Sequence, residues 1–304
     1  MEHLNLNEIF EIWEVKSDPR ILKANSKLDL SYNFLSKEEF ESSILRVLQV
    51  LDTDLSKAGP HRLNDWEKGW DENLKKFNES EHREATLPGY FEKSKIIRWK
   101  QKWIKPGDAS LEQKLLSCLV DSLILKFSTY TDSIYEFGCG TGHHLFRLRE
   151  LFPKQKLVGL DWAKSSQELI TKYANSRKDL QLHGEHFDFF NPNLDLVIEK
   201  NSLFLTVASL EQTFDDYIKF VDFILKSKPT LVINIEPMAE FLDPGNLLDL
   251  ISLKYFTKRN YLNNYFNYLR LLEEKGKISI IDSRRTYLGS FFIDGYSIVV
   301  WTPN

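Results

Sequence analysis

The second half of the chain alternates two hydrophobic patterns. Short apolar runs at residues 134–137, 156–161, 180–183, 195–199 and 230–236 read as strands. Between them the period becomes helical: Leu145, Leu148, Leu151 and Phe152 fall on one face, and 167–175 and 210–225 read as further helices. Strands alternating with helices form parallel pairs, because each crossover helix returns the chain to the same end of the sheet. A long helical region at 247–274 follows, then two runs at 278–284 and 296–301 with no helix between them, which predicts a closing antiparallel pair. The expected fold class is α/β: a seven-stranded, mostly parallel sheet with helices on both faces and a C-terminal antiparallel strand pair.

The first hundred residues read as a helical preface. Leu4, Ile9, Phe10 and Trp13 suggest one amphipathic helix. Ser36 and Glu39 have the spacing of a capping box opening a second, with Phe40, Ile44, Leu45, Leu48 and Leu51 on its apolar face. Gly59 and Pro60 break it. Further on, Trp66, Trp70, Trp99 and Trp103 stand among charged residues. Two compatible readings follow: a lid over a substrate, or an aromatic staple fixing this arm to the rest. A Pro-Gly-Asp-Ala-Ser stretch from Pro106 marks the boundary, giving an N-terminal helical arm over 1–108 and a ligand-binding domain over 109–304. The latter opens with a helix at 111–127 that carries Leu115, Leu116, Leu119 and Leu123 on its apolar face.

Composition narrows the possibilities. At 304 residues, 42% of them hydrophobic and 28% charged, the chain can bury a large core as a globular protein. A net charge of −4 argues against a nucleic-acid backbone as partner. The two cysteines, Cys118 and Cys139, are too few for a disulfide scaffold or a cysteine-built zinc site, so no metal is expected. The N-terminus has no basic segment leading into an apolar run, and no stretch reaches membrane-spanning length, so a cytoplasmic protein without membrane contact is expected. A homodimer is an arrangement the sequence allows.

The chemistry centres on Glu136-Phe-Gly-Cys-Gly-Thr-Gly142, where a strand passes through glycines straight into a helix. Bare backbone there admits a ligand closely and points free N–H groups at it. A dinucleotide fingerprint would need its third glycine where His143 stands. The pattern instead resembles motif I of the class I S-adenosyl-L-methionine-dependent methyltransferases. By that resemblance Glu136 holds the methionine amino group, and Gly138, Cys139, Gly140 and Gly142 pass beneath the homocysteine arm. By the same resemblance, a closing strand pair is what separates such Rossmann-like sheets from dinucleotide-binding ones.

Ligands of such sheets sit at the carboxyl ends of the strands, which selects the remaining candidates. Asp161 ends the second strand and is suited to the ribose hydroxyls, with Trp162 beside it for the adenine; the alternative is that Asp161 caps the next helix. Asp188 and Phe189 follow the third strand and resemble the element that accepts from the adenine amino group. In the arm, Tyr90 and Arg98 match by type and position an aromatic-plus-arginine element that contacts the methionine carboxylate. For catalysis the candidates are His143 and His144 at the first helix, where the dipole favours a neutral imidazole, with Glu199 and Glu236 at the ends of strands four and five. Each also has a purely structural alternative. The basic pairs Lys258–Arg259 and Arg284–Arg285 are candidate clamps for an anion.

The expected function is methyl transfer from S-adenosyl-L-methionine to oxygen or nitrogen of a small polar, anionic molecule, a sugar or natural-product intermediate. In style the C-terminal half resembles bacterial methyltransferases of glycan and natural-product pathways. The rival readings are an NAD-dependent oxidoreductase and a non-catalytic scaffold that keeps the cofactor site.

Overall fold

A computed structural model describes residues 1–25, 28–92 and 95–304. In chain order the N-terminal part contains β1 (Glu2–His3), α1 (Leu6–Ile12), α2 (Pro19–Ala24), β2 (Ser31–Phe34), α3 (Lys37–Asp52), α4 (Leu63–Ser80), β3 (Ile97–Trp99) and β4 (Lys102–Pro106). Then come α5 (Leu111–Phe127), β5 (Ser133–Phe137), α6 (His143–Leu151), β6 (Lys156–Asp161), α7 (Lys164–Arg177), β7 (Leu182–His186) and β8 (Ser202–Val207). The chain ends with α8 (Tyr217–Ser227), β9 (Leu231–Glu236), α9 (Leu247–Arg259), α10 (Tyr265–Glu274), β10 (Ile278–Arg284), β11 (Leu288–Gly289) and β12 (Ser297–Pro303).

The expected seven-stranded sheet is present, in the order β10-β12-β9-β8-β5-β6-β7. The pairs among β5 to β9 are parallel, and β12 enters antiparallel to β9 with β10 outside it. Successive strand residues face opposite sides, so the strands divide their side chains between two cores. Ile134, Leu157, Leu203 and Ile233 pack with Leu119, Leu145 and Ile170 of α5, α6 and α7. Tyr135, Val158, Phe204 and Val232 pack on the other face with Phe220, Phe223 and Leu269 of α8 and α10.

Two strands differ from the sequence reading. The third begins at Leu182, and Leu180 is 84% exposed. The fourth is not 195–199 but Ser202–Val207, every residue of which is buried, whereas Val197 is 86% exposed. A strand with neighbours on both edges and helices on both faces must be free of charge and largely apolar, and only the later run meets that demand. The long helical region is likewise two helices, broken where Asn260 and Asn264 take positive φ (55° and 58°).

The first hundred residues are not purely helical. A second sheet, β1-β2-β4-β3-β11, joins them to the C-terminal part, because β11 pairs with β3 (Leu288 opposite Trp99). Its hairpin escaped notice because Lys100 and Gln101, rather than glycine, hold the positive φ (48° and 58°) of the tight turn. The capping box is as expected: Ser36 Oγ accepts from the Glu39 N–H, and Glu39 Oε2 accepts from the Ser36 N–H at 2.8 Å. The buried stripe of α3 differs, however. Val47 is fully buried against Trp103, while Leu45 and Leu48 face outwards. Helix α4 is fastened to the main sheet by Glu67, which accepts from the Lys164 and Ser165 N–H groups at the start of α7 (2.7 and 3.0 Å).

Arg285, between β10 and β11, ties together separate segments of the C-terminal part. Its guanidinium donates to Asp249 (2.7 and 2.5 Å) and to Asp294 (3.1 and 2.9 Å), and all three side chains are buried. Removing one member of such a group strands the others without countercharge. Arg285→Met is expected to destabilise the fold by about 3–5 kcal/mol, read as a lowered urea midpoint with unchanged slope. A midpoint within experimental error of wild type would show that the two carboxyls do without their partner.

Candidate active site

At the carboxyl ends of the parallel strands lies a cavity of about 330 Å³, and its wall contains the glycine turn. Gly138 and Gly140 hold φ of +67° and +54°, left-handed backbone that suits glycine. A Cβ on Gly138 would stand 2.5 Å from that of Ser209, and one on Gly140 would press on the Trp70 ring at 2.9 Å. Gly142 (φ +76°) then opens α6. Asp161, at the end of β6, fixes this turn: its two oxygens accept from the N–H groups of Gly140 and Ala163, each at 2.9 Å. Asp161 thus lines the cavity without capping α7: its bond goes to Ala163, ahead of the first helical residue, while Glu67 takes the Lys164 and Ser165 N–H groups.

Glu136, buried beneath the turn, shares a 2.7 Å hydrogen bond with His144 Nδ1. Its other oxygen has no partner, nor do Nε2 of His143 and of His144. Burial pushes the Glu136 carboxyl up to about 8 and holds both imidazoles below their ordinary value, so these histidines are neutral. Desolvation, rather than the helix dipole, is the first cause. Cys139 also lines the cavity, its thiol pushed well up by the same burial and set 3.7 Å from Ser166 Oγ. Trp162, Phe189 and Tyr90 are in the wall.

Four other candidates lie elsewhere. Arg98 is buried behind the hairpin, donating to the carbonyls of Leu248 (2.5 Å) and Phe292 (2.7 Å) and to Ser252 Oγ (2.7 Å). It fastens the small sheet and is absent from the cavity wall. Asp188 spends an oxygen on the N–H of Phe190 (2.8 Å), closing a turn that places Phe189 and Phe190 in the wall. Glu199 precedes β8 instead of ending a strand, and pairs with Lys156 at the opposite end of the sheet (2.7 Å). Glu236 does end β9, but it faces the neighbouring loop: its carboxylate accepts from the N–H groups of Ser209, Leu210 and Glu211 at 3.1–3.3 Å.

That loop supplies what the sequence reading missed. Because the fourth strand ends at Val207, the residues presented to the cavity are Ser209, Glu211, Gln212 and Thr213. Glu112, at the start of α5, and Tyr261 and Tyr296 join them. Trp66 and Trp70 belong here too, their rings stacked at 5.4 Å, whereas Trp103 stacks on Phe291 outside the cavity wall. The run Ser202-Leu-Phe-Leu-Thr-Val207 was the sequence signal that would have located Glu211.

The buried acids make stability pH-dependent. Burial raises Glu136 and Glu211 from 4.5 to about 8, so the folded chain holds protons that the unfolded chain releases. Their stabilisation is complete below pH 4.5 and is lost as pH rises through about 8. His143 and His144 act in the opposite sense, losing stability only as pH falls below 6.5. The melting temperature of the ligand-free protein is therefore expected to fall from pH 6.5 to pH 8, less steeply in Glu211→Gln. A flat wild-type profile would mean that these carboxyls ionise freely inside the fold.

No family model matches the chain. Over 170 residues it is 25% identical to the protein-lysine N-methyltransferase EFM4 of Saccharomyces cerevisiae, covering 50% of this chain and 73% of the yeast protein. Solved structures similar to it include the SAM-bound magnesium protoporphyrin IX methyltransferase of Synechocystis PCC 6803 (TM-score 0.45, 10% identity, 65% of this chain and 82% of that one). Another is the methyltransferase domain of a bacterial Hen1 protein (TM-score 0.46, 15% identity, 62% of this chain and 97% of that one). The strand order with its antiparallel β12 and the glycine turn over a buried acid give this chain the methyltransferase fold expected from the sequence, and the yeast relative is itself a methyltransferase.

Proposed function

We propose that the chain methylates oxygen or nitrogen of a small polar acceptor held in the half of the cavity bounded by Glu112, Glu211, Tyr261 and Tyr296. The observation that carries this reading is the partnerless, buried Glu136 oxygen beneath a bare glycine turn. A carboxyl there meets the ammonium of a bound methionine moiety, and Asp161, Trp162 and Phe189 stand where a ribose and an adenine would follow. When bound, S-adenosylmethionine supplies an electrophilic methyl on a sulfonium. The chain's part is then to align an acceptor in line with that methyl, to keep water out, and to take a proton where the acceptor must lose one. The neutral imidazole of His143, with an open Nε2 in the cavity wall, is placed to do so for a hydroxyl.

The anionic acceptor expected from the sequence finds no support in the wall, which among the described residues contains no lysine or arginine. Arg284 is paired with Asp282 and Glu14, Arg285 with Asp249 and Asp294, and Arg259 and Lys258 donate to the carbonyls of Ser56 and Thr53. An acceptor that is neutral or positively charged fits better. Among the described residues no helix is long and apolar enough to cross a membrane.

Calorimetric titration with S-adenosylmethionine, S-adenosylhomocysteine and NAD tests the reading. Micromolar binding of both adenosyl ligands and none of NAD is the expected result, and the reverse order would restore the oxidoreductase. Asp161→Ala is expected to weaken S-adenosylhomocysteine by about 1–3 kcal/mol, because it frees the Gly140 N–H as well as any ribose hydroxyl. Unchanged affinity would remove Asp161 from the cofactor site.

A further inference from the structure

Four carboxyl groups line one cavity: Glu112, Glu136, Asp161 and Glu211. Two have tasks within the turn, Asp161 on the Gly140 N–H and Glu136 on His144. The other two are not so employed. Glu112 accepts from the Tyr296 hydroxyl (2.8 Å), and Glu211 accepts from its neighbour Gln212 (2.9 Å) and from the Tyr261 hydroxyl. Neither forms an ion pair with any described residue, although each is more than nine-tenths buried. The Tyr90 hydroxyl lies in the fields of Glu211, Glu112 and Glu136 together, which raise it further, so these acids surround a common space.

A second observation is independent of the acids. Gln212 is 9% exposed and lines the same cavity, and its Oε1 has no hydrogen-bond partner. A buried carbonyl of this kind calls for a donor from a ligand. The wall thus offers three acceptors, on Glu112, Glu211 and Gln212, with the rings of Tyr90, Tyr261 and Tyr296 around them. A hydroxyl brings one O–H to three acceptors. An alkylammonium brings up to three N–H donors and a positive charge, and aromatic faces attract it as well. Arg259 stacks over the Tyr261 ring at 5.3 Å and donates to the Ser56 carbonyl; its charge favours the ionised form of Glu211, but it forms no ion pair with it and is absent from the cavity wall.

From this arrangement, and resting on the methyltransferase reading above, we infer that the acceptor is a primary or secondary aliphatic amine, bound as its cation between Glu112 and Glu211. The chemistry balances. The ammonium gives one proton to the Glu211 carboxylate, which exposes the nitrogen lone pair. That pair forms the new N–C bond as the C–S bond breaks, and the bonding electrons stay on sulfur as a neutral thioether. The product leaves as a methylated ammonium, and the Glu211 proton passes to solvent. Such an amine exists as a free small molecule or as a lysine side chain, and the recognition chemistry is the same for both.

The test uses the full chain saturated with S-adenosylhomocysteine. Butylamine, ethanolamine and a lysine-containing peptide are titrated calorimetrically beside butanol and butyrate. At least one amine is expected to bind, and butanol and butyrate at least tenfold more weakly. Tighter binding of the peptide than of the free amines would assign the amine to protein lysine, and the opposite order to a small molecule. Glu211→Gln is expected to weaken the amine at least tenfold and to leave S-adenosylhomocysteine within twofold of wild type, with Glu112→Gln as the companion variant should the first fold poorly. Butanol binding as well as the amines, an amine affinity unmoved by both variants, or no amine bound to a saturated protein would each overturn the inference. Failure of S-adenosylhomocysteine itself to bind would overturn the underlying methyltransferase reading instead.

Discussion

Where a parallel strand runs out into a ligand cavity, the backbone must turn, and its N–H groups lose the sheet partners they had. Two buried carboxylates absorb that cost here. Asp161 takes the N–H groups of Gly140 and Ala163, and Glu236 takes those of Ser209, Leu210 and Glu211. Both lie at strand ends, both are buried, and burial pushes both up to about 7. Donation by several N–H groups opposes that rise and stabilises the charged form. Without these bonds the glycine turn and the loop after β8 would be free to close the space between them.

The rest of the site depends on this scaffold. The glycine turn brings bare backbone to the floor of the cavity, and the Glu236-held loop sets Glu211 and Gln212 in its wall. The N-terminal segment then provides a roof. Trp66 and Trp70 come from α4, which Glu67 anchors to the start of α7, and Tyr90 comes from the segment that follows. The small second sheet binds this roof to the end of the chain through β11, so residues distant in sequence share one apolar core. The acids of the wall are tolerated because they are either hydrogen-bonded from the backbone or left protonated.

The strand ends were legible wherever a buried run stopped at a recognisable residue. Glu136 and the glycines, Asp161, Trp162 and Phe189 are all in the wall. Placing the fourth strand at 195–199 hid one side of the cavity wall, since Glu199 was chosen where Glu211 and Gln212 stand. Charged side chains were the least legible class. Arg98, Arg284 and Arg285 have the same local sequence character as ligand-binding arginines, yet each is consumed by carbonyls or carboxylates of the fold.

By itself the sequence determined the α/β class, the parallel order implied by alternating strands and helices, and the glycine turn, because these follow from local periodicity and from the φ a residue can adopt. Only the tertiary structure decided which acids line the cavity, which arginines are spent, and that the N-terminal segment is partly a sheet. Those outcomes depend on partners tens to hundreds of residues away, as when Tyr296 donates to Glu112 or Leu288 pairs with Trp99. A side chain's charge is written in the sequence. Whether that charge meets a ligand or another part of the protein is settled by packing.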